Sequence, residues 1–311
     1  MKARDPRRRI AFFLSLAGIC VSAAGGVPEG APGAAAPPAG CDQRPVGSIP
    51  VRATAAPAGH EFAQRIRDLS GIARDAFIRS ELLAGNIPQF LRHLVPVSIT
   101  RTEAAQRVEL TVCVLPDYLA VGSDHDFVFV PMGLEAALEV AGRFGFGLPT
   151  PELVDAIYRE STVRLAPLPL PPGEQMRSTA YFVYHNDLIA QQRSALGAAV
   201  GELTAGHKKD LVLSSRLWLM PGRVAIYGWH REFDEPIQPL SLVHGARYAD
   251  YSHGVRLVSN AVYVNGVRRT MQSVLADSSL AHLLTDEGPW PQLTERLAAL
   301  SARLRELPAA Q

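Results

Sequence analysis

An α+β fold is what this 311-residue sequence predicts, and three observations carry it. Apolar residues recur at helical steps in several segments and alternate at the strand period in several others. The two kinds of segment also do not take regular turns along the chain. Regular alternation would favour a parallel, doubly wound sheet. Its absence favours mainly antiparallel strands in the C-terminal half, with a more helical N-terminal half.

The chain opens with Lys2, Arg4, Arg7, Arg8 and Arg9 against Asp5, followed by an uncharged run from Ile10 to Val21 and then Ser22, Ala23 and Ala24. A basic start, an apolar run too short to span a bilayer and a small-residue exit predict a cleaved secretory signal over residues 1–24. Arg7-Arg8-Arg9 is compatible with the Sec or the twin-arginine route, so the expected location is periplasmic or secreted. Gly25 to Gly40 is nearly all Gly, Ala and Pro and cannot bury enough apolar area to offset its ordering entropy. The polar stretch to Gly59 extends it, which predicts a flexible leader over 25–59 and a globular α+β domain over 60–311.

Phe62, Ile66, Leu69, Ala73 and Phe77 mark one helix face, ended by Gly85-Asn86. Val108, Leu110, Val112 and Val114 alternate as in a half-buried strand. Phe127 to Val130 makes another after the turn at Gly122-Ser123-Asp124. Leu134, Leu138, Ala141 and Phe144 indicate a helix, and a second starts with Thr150 as N-cap and Pro151 in its first turn. Prolines alternate with leucines between Ala166 and Pro172, an extended strap that permits two lobes joined near 162–173.

In the second half, Tyr181 to Tyr184 reads as a strand leading into His185-Asn186 and then a helix around Leu188 to Leu196. Leu211 to Leu213, Val224 to Tyr227 and Leu257-Val258 read as strands. Val262 to Val267 is a hairpin around Asn265-Gly266, the turn that strand twist favours. Leu293, Leu297, Leu300 and Leu304 give a closing helix.

Loss of the signal leaves 26 basic and 29 acidic residues, a mildly acidic protein. Nucleic acid and anionic membranes are therefore not expected partners, since both ask for a basic face. No second apolar run approaches membrane-spanning length, so no transmembrane segment is expected after cleavage. Cys41 and Cys113 remain as an even pair. In an oxidising compartment they are either bridged or, for Cys113, a buried free thiol.

Five of the nine histidines, His185, His207, His230, His244 and His253, fall between positions 185 and 253, in loops or at strand ends. Such loops gather distant side chains without disturbing a core. One reading is a metal-dependent hydrolase in which His207, Asp210, His244 and His253 hold zinc, with His230 or Asp250 as base.

A second reading rests on local likeness. His244-Gly245 followed by Ser252-His253-Gly254-Val255-Arg256 resembles the active-site stretch of L,D-transpeptidases, exported enzymes that cross-link or trim peptidoglycan stem peptides. The resemblance implies His253 as base, Arg256 as an oxyanion or carboxylate contact and His244 in support. Val255 stands where that family has its cysteine nucleophile, and the spacer is shorter. Trp218, Trp229 and Tyr248 would suit sugar stacking or a peptide groove. The function expected is thus an exported hydrolase-like protein acting on cell-envelope peptide or glycan. The alternative is a non-catalytic envelope or carbohydrate-binding protein using the same loops.

Overall fold

In a computed structural model of the protein, residues 41–308 are described, apart from 104–105 and 233–234. Strands β1 (Val95–Glu103) and β2 (Gln106–Val114) pair antiparallel in unbroken register, from Val95 opposite Val114 to Glu103 opposite Gln106. The alternation read at 108–114 thus belongs to a longer strand. Two short strands, β3 (Ala120–Gly122) and β4 (Phe127–Phe129), form the hairpin expected around Ser123-Asp124.

The larger sheet is completed by β5 (Phe146–Gly147), β12 (Val258–Val264) and β13 (Val267–Thr270), all antiparallel to their neighbours. Asn265 (φ 47°) and Gly266 (φ 78°) make the β12–β13 turn, both in the left-handed region that an Asn-Gly hairpin requires. A second sheet runs in the order β10 (Glu235–Ser241), β9 (Ile226–Glu232), β8 (Lys209–Leu211), β11 (His253–Gly254). Its β8–β11 pair is parallel, as is the pair β6 (Val163–Arg164) with β7 (Thr204–Ala205). The remaining pairs are antiparallel, and the fold is α+β.

Helices α3 (Leu134–Arg143) and α4 (Pro151–Glu160) lie where expected, and the Thr150 hydroxyl accepts from the Leu153 amide at 3.3 Å. Helix α6 (Met271–Ala276) follows β13, and α7 (Leu293–Glu306) buries Leu293, Leu300 and Leu304.

Four expectations need correction. The helix read from Phe62 to Phe77 is two helices, α1 (Gly59–Arg65) and α2 (Gly71–Leu83), with a break at Ile66–Ser70. After the break the buried face shifts to Arg74, Asp75, Ile78 and Leu82, leaving Phe77 exposed. Tyr181 to Tyr184 is not a strand but the start of the 17-residue helix α5 (Thr179–Ala195). The Ser178 hydroxyl caps it, accepting from the Tyr181 amide at 3.2 Å, and Phe182, Asn186, Ile189 and Arg193 are buried at helical spacing. Capping and packing override the β preference of the aromatic run.

Order also begins well before residue 60. Cys41 is disulfide-bonded to Cys113, and Val46 and Ile49 are buried against the core. Two apolar anchors and a covalent tether outweigh the polar, proline-dotted composition. Finally, the described residues belong to one compact unit rather than two lobes. The proline strap is tied onto it, the Leu170 amide donating to the Tyr251 hydroxyl at 2.7 Å. The α+β class stands as expected, while the N-terminal half is not clearly the more helical, the longest strands, β1 and β2, preceding the longest helices, α5 and α7.

Candidate functional site

The β8–β9–β11 sheet is what gathers the polar segment. Its register sets Lys209 beside His253 and Asp210 beside Gly254 on one side, and Lys209 opposite Gly228 on the other. Gly254 is needed for packing, because a Cβ there would lie 2.5 Å from the Tyr118 ring. That close approach lets the Tyr118 hydroxyl donate to Asp210 Oδ2 at 2.7 Å.

The residues expected to share a metal are engaged separately. His207 is buried with Nε2 3.2 Å from Asp117 Oδ1, between the Tyr118 and Phe129 rings. Asp210 is taken by Tyr118, and burial pushes its carboxyl up to about 6. His253 lies behind the His244 ring, with centroids 6.2 Å apart. Among the described residues no three His, Cys, Asp or Glu side chains come together in a group that could hold a metal ion.

The residues expected to be catalytic are mostly interior. His253 has no exposed surface, its Nε2 is 3.9 Å from Asp250 Oδ2, and burial pushes it down to about 4. Asp250 accepts from the Ser252 amide (2.8 Å), the Ser252 hydroxyl (2.6 Å) and the Tyr248 hydroxyl (3.1 Å). His230 is buried beside Asp155, Nε2 to Oδ1 2.8 Å, and is stacked on Tyr158. Arg256 is fully buried. Its Nη atoms donate to the carbonyls of Leu115 (2.8 Å) and Thr204 (2.6 Å), and its guanidinium lies over Tyr118. It fastens β2, β7 and β8 together and offers nothing to a substrate outside. His185 is buried against Lys208, Nδ1 to Nζ 3.1 Å, with burial pushing the imidazole down.

His244 differs: it alone among the five histidines is only half-buried. Its ring stacks on Tyr248, centroids 4.0 Å apart and planes 6° from parallel, and partial burial holds its pKa below the usual value. Tyr248, pushed up to about 12 by burial and by Asp250, lines a cavity of about 760 Å³. Of the three aromatics singled out from sequence, only Tyr248 lines it. Trp229 packs under Lys209, and Trp218 sits against Trp290.

The other walls of this cavity went unread in the sequence. They include the segment before α2 with its first turn, Arg74, Arg177 and Arg247. The signal that could have found Arg74 is spacing, since it continues backward the four-residue step of Leu82 and Ile78. The partners Asp117, Asp155 and Arg193 left no such signal, because they are brought to the histidines from distant elements.

Comparison with known protein families, with characterised proteins and with solved structures finds no match to this chain.

Proposed function

We propose that the protein is an exported, hydrolase-like protein acting on cell-envelope peptide or glycan, with His244 as general base, its ring stacked on Tyr248, which lines the 760 Å³ cavity. The observation that carries this reading is that His244 is half-buried while His185, His207, His230 and His253 are enclosed. Partial burial keeps its imidazole neutral at pH 7, the form that accepts a proton. Asp250 holds the Tyr248 hydroxyl, and the Tyr248 ring holds the imidazole parallel to itself. Tyr248 and Asp250 are thus positioning residues, with His253 packed behind both rings. In the reaction, water loses a proton to His244 and its oxygen bonds to the acyl or anomeric carbon. The bond to the leaving nitrogen or oxygen breaks, and the proton passes to that atom. The Cys41–Cys113 bridge supports a location outside the reducing cytoplasm.

The alternative, a non-catalytic envelope-binding protein, is favoured by the cavity's own lining, which is richer in arginine than in acid–base groups. Purified peptidoglycan distinguishes the two. Release of soluble fragments, seen by mass spectrometry and lost in His244→Ala, is the expected result. Co-sedimentation without release would replace the hydrolase by the binding protein, and neither would remove both.

A further inference from the structure

The cavity is bounded by four arginines: Arg67, which is paired with Asp68, and three from separate elements, Arg74 on α2, Arg177 in the 3-10 turn Glu174–Arg177, and Arg247 in the loop carrying Tyr248. Among the described residues, none of these last three has a carboxylate within salt-bridge distance. Arg74 is only 2% exposed, yet its Nε has no hydrogen-bond partner. Its Nη1 donates to the Arg177 carbonyl, and its guanidinium lies 4.2 Å over the Phe182 ring. Arg247 donates through Nη1 to the Pro308 carbonyl, and its Nε is likewise buried without a partner. The Arg177 side chain is exposed. The buried Asp75 carboxylate acts on Arg74 through space without pairing to it, and a buried guanidinium with no paired counter-ion is costly to maintain.

The same wall contains the N-terminus of α2. Its N-cap, Ser70, makes no side-chain hydrogen bond to the first turn, so the amides of Gly71, Ile72 and Ala73 have no side-chain acceptor. Helix N-termini left open in this way attract anions through their amides and the helix dipole. Two carboxylates also line the cavity. Asp68 is paired with Arg67, Nε to Oδ2 3.0 Å, and Glu174 is exposed. Glu174 offsets one of the charges of Arg74, Arg177 and Arg247, which leaves positive charge in excess at the cavity.

We infer that this cavity is an oxyanion-binding site, in which Arg74, Arg177 and the first turn of α2 take a carboxylate or phosphate group of a ligand. The inference goes beyond the hydrolase reading and does not depend on turnover. A planar guanidinium donates two parallel hydrogen bonds to either group, which suits the exposed Arg177 better than a lysine would.

Calorimetric titration of the purified protein at low salt, with inorganic phosphate and with N-acetylglycine as the peptide-terminal carboxylate, tests the site. At least one probe should bind saturably with one site per chain, and the tighter of the two identifies the source of the oxyanion. Arg177→Gln, at an exposed position that does not threaten folding, should weaken binding about tenfold. Arg101→Gln, on β1, should leave it unchanged. Arg74→Gln should abolish binding if it folds. The inference is overturned if neither probe binds at tens of millimolar, if Arg177→Gln binds like the parent, or if Arg101→Gln weakens binding equally. Binding that survives in a His244→Ala protein lacking turnover would uphold this site. Fragment release without oxyanion binding would uphold only the hydrolase.

Discussion

Arg193 and Arg177 carry the same group into opposite settings. Arg193 is buried, with Nη2 2.5 Å from Asp117 Oδ2 and Nη1 2.9 Å from the Thr204 hydroxyl. Arg177 stands exposed at the cavity with no carboxylate within salt-bridge distance among the described residues. The histidines divide in the same way, His207 enclosed near Asp117 and His244 half-open beside Tyr248. One region is an interior in which a buried arginine is paired with a carboxylate, and the other is a cavity edge whose arginines Arg74, Arg177 and Arg247 have no carboxylate within salt-bridge distance among the described residues. Residue type does not separate them; counter-charge and burial do.

The largest effect expected from this contrast is at Asp117. In Asp117→Ala the Arg193 guanidinium stays buried with its carboxylate gone, and His207 loses the carboxylate beside it. Removing one member of a buried pair costs about 3–5 kcal/mol. Urea unfolding should show that loss. A change below about 1 kcal/mol would mean water or rearrangement replaces the pair, and the interior would not be the stabilising half of the comparison.

A second, smaller effect appears with pH. Burial pushes the Lys208 amine down to about 7 from its ordinary 10.5. Between those values the unfolded chain binds a proton that the folded protein has released, so stability rises with pH. The contribution is fully present above 10.5 and is lost as pH falls through 7. Lys209 is lowered in the same direction, also by burial. The buried carboxyls Asp75 and Asp210, near 6, and Glu152, near 7, exert their opposite effect below this window. Stability should therefore climb from pH 7.5 to 9.5, by at most about 1.4 kcal/mol per pH unit for one group. The slope should flatten in Lys208→Met. An unchanged slope would show that another group carries it.

The fold could be read from sequence wherever a local signal met a local cause. Thr150-Pro151 capped α4 and Asn265-Gly266 turned the β12–β13 hairpin because those preferences act within a few residues. Reading failed where distant partners decide. Tyr181 to Tyr184 became helix because Ser178 caps it and Phe182 and Ile189 find the core. The segment near Val46 became ordered because Cys113 and the core hold it. The site divided likewise. The cluster between His185 and Arg256 does converge on one sheet, but nothing in the sequence distinguishes an enclosed histidine from an open one. That distinction is made by Asp117, Tyr118 and Asp155, which lie far away along the chain. His253, Arg256 and Asp250, singled out from sequence as catalytic, are buried, His253 and Asp250 beside Tyr248 and Arg256 against Tyr118, Leu115 and Thr204.

His244→Ala carries the smallest expected change in stability and so gives the sharpest contrast. The ring makes no hydrogen bond among the described residues, and its one close partner is the Tyr248 face. Its backbone carbonyl accepts from the Val224 amide at 3.1 Å, a bond that truncation of the side chain leaves in place. Losing a half-exposed stack should cost under about 1 kcal/mol, well below the cost at Asp117. Urea unfolding of the two variants under the same conditions checks this. Should His244→Ala destabilise as much as Asp117→Ala, His244 would belong to the interior layer, and the division into a stabilising interior and a functional rim would fail. A near-silent stability change with fragment release abolished would instead place the function of this segment at its one open histidine.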